Sequence, residues 1–128
     1  MLEIEVIGQE EVAHLIVLAE IERLALIAAA SANLSEGHLA IEFVDCARIR
    51  ELNYEHRNLD EATDVLSFPI DEDATTAGPR ELGDVVICPS ETADLREAVV
   101  HGVLHLTGMD HETDDGEMLA VQREILGW

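Results

Sequence analysis

The chain is 128 residues long, 48% hydrophobic and only 3% aromatic, the size of one domain built round a mainly aliphatic core. Its net charge of -21 comes from 28 acidic residues against seven cations, all of them Arg. That balance argues against a general nucleic-acid binder, because nonspecific phosphate binding needs cationic contacts, and no DNA partner is expected.

Met1-Leu-Glu-Ile-Glu has no basic segment of the kind that opens a secretory signal. Leu2, Ile4 and Val6 alternate with Glu3 and Glu5, the period of a strand with one face in water. Gln9 to about Ala30 reads as one long helix rich in Ala and Leu. It is apolar, but His14, Glu20, Glu22 and Arg23 interrupt it, so it is read as a helix of a soluble protein with no membrane span. Asn33 to Gly37 is a turn, and His38 to Val44 alternates Leu39, Ile41 and Phe43 as a second strand. Asp45 is placed to N-cap a helix running to about His56, with Ile49 and Leu52 facing inward.

Asp64-Val-Leu-Ser-Phe68 predicts a third strand stopped by Pro69, and Asp71 to Pro79 a loop. Asp84-Val-Val-Ile-Cys88 predicts a central fourth strand. A helix starting at Ser90 is expected to run through His105 towards Gly108, followed by a last helix with Asp114 as N-cap and Glu117 three residues on. The order βαβαββαα predicts an α+β fold, one mixed sheet with helices packed around it, in one domain over residues 1–128. Cys46 and Cys88 lack C-x-x-C spacing and are expected to be reduced, partly buried thiols of a cytoplasmic protein.

The chemistry concentrates in His101-Gly-Val-Leu-His105-Leu-Thr-Gly108-Met-Asp-His111. Residues four apart share a helix face, so His101 and His105 can both reach one metal ion. Gly108 allows the helix to end and the chain to reverse, which lets His111 return as a third ligand. Three imidazoles with a free fourth position describe a catalytic zinc site rather than a closed structural one. Metzincin peptidases use H-E-x-x-H-x-x-G-x-x-H, where the Glu is the general base. Here Gly102 stands in its place, so the ligand spacing is kept and the peptidase base is not.

This segment resembles the signature of the YbeY family of rRNA maturation factors. Two more blocks carry the resemblance: Leu52-Asn53, Arg57, Asp60 and Thr63-Asp-Val-Leu-Ser-Phe-Pro69, then Leu82-Gly-Asp-Val-Val-Ile-Cys88. It implies a mixed four-stranded sheet and a zinc-dependent, single-strand-specific endoribonuclease acting in 16S rRNA 3′-end maturation and ribosome quality control. It also implies His101, His105 and His111 as ligands of one zinc ion and Arg57 as the functional arginine. The chain departs from the family pattern at His56 and Ala62, where Tyr and Pro are usual, at Met109, where an aromatic is usual, and in a shorter stretch from Pro89 to Val100.

An arginine fork suits phosphate recognition, so Arg57 is assigned to holding the scissile phosphate and stabilising developing charge. Asp110, beside the last ligand, is assigned to orienting it or shuttling a proton. Asp64 is expected to serve a backbone or capping hydrogen bond, and Ser67 is not expected to act as a nucleophile. The choice between water beside the metal and the neighbouring 2′-OH as nucleophile stays open, and three imidazoles also accept nickel, cobalt or copper. The second reading is an acidic ribosome-assembly module with a mainly structural metal, paired with basic proteins of the small ribosomal subunit. A peptidase, lacking its base at Gly102, comes third.

Overall fold

The computed structural model describes residues 2–31, 37–69, 81–106 and 117–127. In chain order it contains β1 (Leu2–Ile7), α1 (Leu18–Ser31), β2 (Gly37–Phe43), α2 (Cys46–Arg57), β3 (Val65–Pro69), β4 (Glu81–Ile87), α3 (Leu95–Leu106) and α4 (Glu117–Leu126). The fold is α+β, in the expected order of elements. The sheet runs β1-β2-β4-β3, with β1, β2 and β4 mutually parallel and β3 antiparallel to β4 at one edge. Residues 33–36 of the expected turn and the whole of the expected loop at 71–79 lie outside the described residues.

Alternation along the strands divides the apolar side chains between two faces. Leu39, Ile41 and Phe43 of β2, with Leu82, Val85 and Ile87 of β4, join the main core formed with α1, α3 and α4. Val86 and Cys88 point the other way and, with Leu66, receive Ile49 of α2; Leu52 and Phe68 flank them. Thus α2 covers one face of the sheet and the remaining helices cover the other. Gly83 sits in β4 at φ 134°, and a Cβ there would overlap the Phe68 carbonyl oxygen of the paired strand. Only glycine lets β3 and β4 approach so closely.

The first helix is shorter than its composition predicts. Gln9–Glu11 forms a single 3-10 turn, and α1 begins only at Leu18. The reason is a slip in the phase of the apolar pattern. Ile21, Leu24, Ala25 and Ala28 form the buried stripe of α1, and extending that stripe backwards would put His14, Val17 and Leu18 inside. Instead Val12 and Ile16 are buried while Val17 is 62% exposed. One continuous helix cannot bury both sets, so the chain breaks between them.

The helix expected from Ser90 is also divided. Pro89–Glu91 is a 3-10 turn, and α3 starts at Leu95. Asp94 is its cap: Oδ1 accepts from the backbone N–H of Arg96 at 2.9 Å and of Glu97 at 3.4 Å. Asp45 caps α2 as expected, accepting from Arg48 N–H at 2.8 Å. No helix among the described residues is long and apolar enough to cross a membrane.

Candidate functional site

Helix α3 is held by its buried face. Val99, Val100, Val103 and Leu104 are fully buried, which leaves Glu97, His101 and His105, at four-residue spacing, along a partly exposed edge. His101 Nε2 and His105 Nε2 lie 3.1 Å apart with their rings at 75°. Two imidazole nitrogen lone pairs meet at that distance only with a proton or a cation between them. Ligand nitrogens at about 2.0–2.1 Å from a tetrahedral zinc are themselves about 3.3–3.4 Å apart. The pair therefore fits two corners of such a site.

The other nitrogen of His101 is also engaged. Its Nδ1 lies 2.9 Å from Gln122 Oε1 of α4, and Gln122 Nε2 donates to Glu97 Oε1 at 3.3 Å. Sequence reasoning missed both partners. The available cues were Glu97 one turn before His101, and an amide at 122 on the apolar stripe of α4 marked by Met118, Val121 and Ile125. Gln122 is only 4% exposed, and a buried amide with both ends paired is held in place.

His111 and Asp110 lie outside the described residues, as do Gly108, Met109 and Asp114. Among the described residues no group of three or more His, Cys, Asp or Glu side chains could hold a metal ion. The structure thus brings two of the three expected ligands together.

Arg57 is the last residue of α2 and is exposed. Among the described residues it has no ion-pair partner, whereas Arg23, Arg48, Arg50 and Arg96 each meet a carboxylate. Its helix end is fixed from several sides. Asn58 takes the left-handed conformation at φ 58° and closes the helix. Asn53 donates to the Glu61 carbonyl at 3.0 Å, and Arg50 pairs with Asp60 at 2.7 Å. Arg50 holds the Asp60 carboxyl below its ordinary pKa, mainly through that hydrogen bond. His56 packs against Phe68 of β3, with ring centroids 4.6 Å apart and the ring planes tilted by 52°.

Alternation in β3 relates Arg57 to the histidines. Leu66 and Phe68 face α2, whereas Ser67 donates to the Gly102 carbonyl of α3 at 2.8 Å. Helix α2, which ends at Arg57, and helix α3, which carries His101, therefore pack on opposite faces of this edge strand. Ser67 is spent on that helix-to-strand contact, and Asp64 accepts from Val65 N–H at 2.8 Å, the backbone role expected of it. A cavity of about 140 Å³ opens beside His101, lined by Asp64, Val65, Thr92, Asp94, Glu97 and others.

Cys46 and Cys88 are both free, but fold to 3.6 Å between sulfurs, with Ser90 Oγ 2.8 Å from Cys46. The hydrogen bond with Ser90 pulls the Cys46 thiol down, the neighbouring Cys88 thiol and burial push it up, and the upward causes prevail.

Comparison with known proteins identifies the family of the chain. The family model for endoribonuclease YbeY matches residues 8–127. An endoribonuclease YbeY of Macrococcus caseolyticus is 37% identical over 128 residues, covering 85% of this chain and 83% of that one. Those of Rubrobacter xylanophilus and Azorhizobium caulinodans are 43% and 40% identical, over 70% and 80% of this chain and 66% and 74% of their own lengths. The solution structure of TM1509 from Thermotoga maritima shares the fold at a TM-score of 0.55 and 24% identity, covering 96% of this chain and 86% of that one. Matched by the family model over most of its length, the chain belongs to the endoribonuclease YbeY family.

Proposed function

We propose that this protein cleaves single-stranded RNA in a zinc-dependent reaction and serves 16S rRNA 3′-end maturation and ribosome quality control in the cytoplasm. The observation that carries the reading is the His101–His105 pair, 3.1 Å apart at Nε2, in a chain of an endoribonuclease family. His101, His105 and His111 would hold the ion. When bound, zinc polarises a phosphoryl oxygen and lowers the pKa of neighbouring water towards about 7.

The protein's own groups do the rest. Arg57 has no competing carboxylate among the described residues, so its guanidinium is left for a phosphate. The Asn58 cap and the loop tied by Asn53 and Asp60 hold that end of α2 in one place, which limits the ordering cost on binding. Asp110 is assigned to orienting His111 or carrying a proton. The surrounding charge of -21 repels RNA at long range, so productive contact concentrates where Arg57 and the ion offset it.

Cleavage of a fluorescent single-stranded RNA by purified protein tests the reading, before and after chelation and with zinc restored. Loss of cutting in His111→Ala and Arg57→Glu, with folding retained, is expected. RNA left intact by zinc-loaded wild type would overturn the enzymatic reading.

The same net charge favours a second reading, an acidic ribosome-assembly module whose metal is mainly structural. Basic proteins of the small ribosomal subunit would be its partners. A metal-site variant that still captures small-subunit components and works in cells would favour it over the first.

A further inference from the structure

We propose that Glu97 and Gln122 are positioning residues that hold His101 in the one tautomer able to bind a metal through Nε2; this rests on the metal-site reading above. Gln122 joins two helices. Its amide lies between Glu97 of α3, 3.3 Å from Nε2, and His101 Nδ1, 2.9 Å from Oε1. An amide can be turned either way round, with its oxygen or its NH2 towards the ring, and a neutral imidazole can carry its proton on either nitrogen. Taken alone, Gln122 and His101 could pair in both senses.

Glu97 removes that freedom. A carboxylate only accepts hydrogen bonds, so it must face the NH2 end of Gln122. The reverse orientation would set two oxygens against each other in a nearly closed space, and leaving a buried polar pair unmade is costly. With its NH2 committed to Glu97, Gln122 turns its oxygen to His101. An oxygen there requires a proton on Nδ1. A neutral ring protonated at Nδ1 has its lone pair at Nε2, the atom that faces His105 at 3.1 Å. The orientation thus passes from a carboxylate on α3 through an amide on α4 and back to α3. Metal-bound imidazoles generally depend on such a partner on their second nitrogen. The reach of Gln122 also requires α4 to be docked, so the closing helix of the fold is tied to the readiness of the site.

The test measures zinc affinity by competition with a chromogenic chelator, together with the ring-nitrogen NMR shifts of His101. Gln122→Leu, of similar size and without polar atoms, is expected to bind zinc about 10–100-fold more weakly. Glu97→Gln, which frees the amide to turn, shifts in the same direction and turns the metal-free His101 ring from protonation at Nδ1 to a mixture. The double variant Glu97→Gln/Gln122→Glu restores the order donor, acceptor, ring, and should recover most of the affinity. Wild-type affinity in both single variants would overturn the proposal. If Gln122→Leu does not fold, the near-isosteric Glu97→Gln and the swapped pair still decide it. A wild-type chain that takes up no zinc sinks the metal-site reading itself; the ring tautomer then still decides whether Glu97 and Gln122 orient His101.

Discussion

Gly102 meets Val85 where helix α3 crosses strand β4: a Cβ on Gly102 would overlap Val85 Cγ1 and stand 3.1 Å from Val65 Cγ2. Val85 is fully buried in the main core and cannot move aside cheaply. Gly102→Ala is therefore expected to destabilise the fold by about 1–3 kcal/mol, the usual cost of overpacking. Denaturant melts of Gly102→Ala, Val85→Ala and the double variant check this. The double should lose less than the sum of the singles by more than about 0.5 kcal/mol; strict additivity would refute the contact as the cause. Gly102→Glu, which restores the spelling of a peptidase motif, is expected to cost stability without conferring peptidase activity.

Zinc should stabilise the folded chain. An ion held at 100 times its dissociation constant adds about 2.7 kcal/mol by mass action. His105→Ala removes one of two nitrogens already 3.1 Å apart and should abolish most of that gain in a thermal melt with zinc. An unchanged zinc effect in His105→Ala would place the ion elsewhere.

Asn58, at φ 58°, ends α2 next to Arg57. Asn58→Gly should be tolerated, whereas Asn58→Val should cost about 1–2 kcal/mol, because a β-branched residue resists the left-handed region. RNA cleavage should fall in Asn58→Val beyond any loss of folded protein, since the helix end that carries Arg57 loses its fixed exit. Equal cleavage per folded molecule would show that Arg57 does not need that anchor.

RNA binding should depend weakly on salt. Counterion release gives a slope near -0.7 per phosphate contact for single strands. With about two cationic contacts, from Arg57 and the ion, raising salt from about 50 to 200 mM should raise KM less than about tenfold, and screening of the acidic surface works against even that rise. A steeper dependence would show that further arginines touch the RNA.

Acid should weaken the tie between α1 and α3. Glu20 bonds Arg23 at 2.7 Å and Arg96 of α3 at 3.2 Å. The hydrogen bond from Arg23 is the largest cause that holds its carboxyl below the usual 4.5, with the charges of Arg23 and Arg96 acting in the same direction against burial. A carboxyl lowered on folding adds stability that is complete above the unfolded value and fades as pH falls through the folded one. The advantage of wild type over Glu20→Gln in urea melts should thus hold at neutral pH and shrink below about pH 4.5. A difference that does not change with pH would show the pair contributes nothing.

Strand alternation, the Asp45 cap and the helical spacing of His101 and His105 were legible because each is a local rule that tertiary packing did not need to override. The start of α1 was not. Val12, Ile16 and Ile21 are all apolar, and only the core shows that the first two and the third are buried from different backbone phases. Asp94 was passed over because Ser90 offered an equally good cap four residues earlier. Gln122 was hidden because its role depends on a helix 21 residues away, and no periodicity encodes which side chain an amide will meet. The thiols of Cys46 and Cys88 met for the same reason, 42 residues apart.

The sheet acts as a partition wall. Helix α3, which carries His101 and His105, packs on one set of apolar residues, and α2, which ends at Arg57, packs on another. Loosening the smaller set, through Ile49 or Leu66, would let α2 drift while α3 stays seated. Damage there would disturb the end of α2 that carries Arg57 and spare the paired imidazoles of α3.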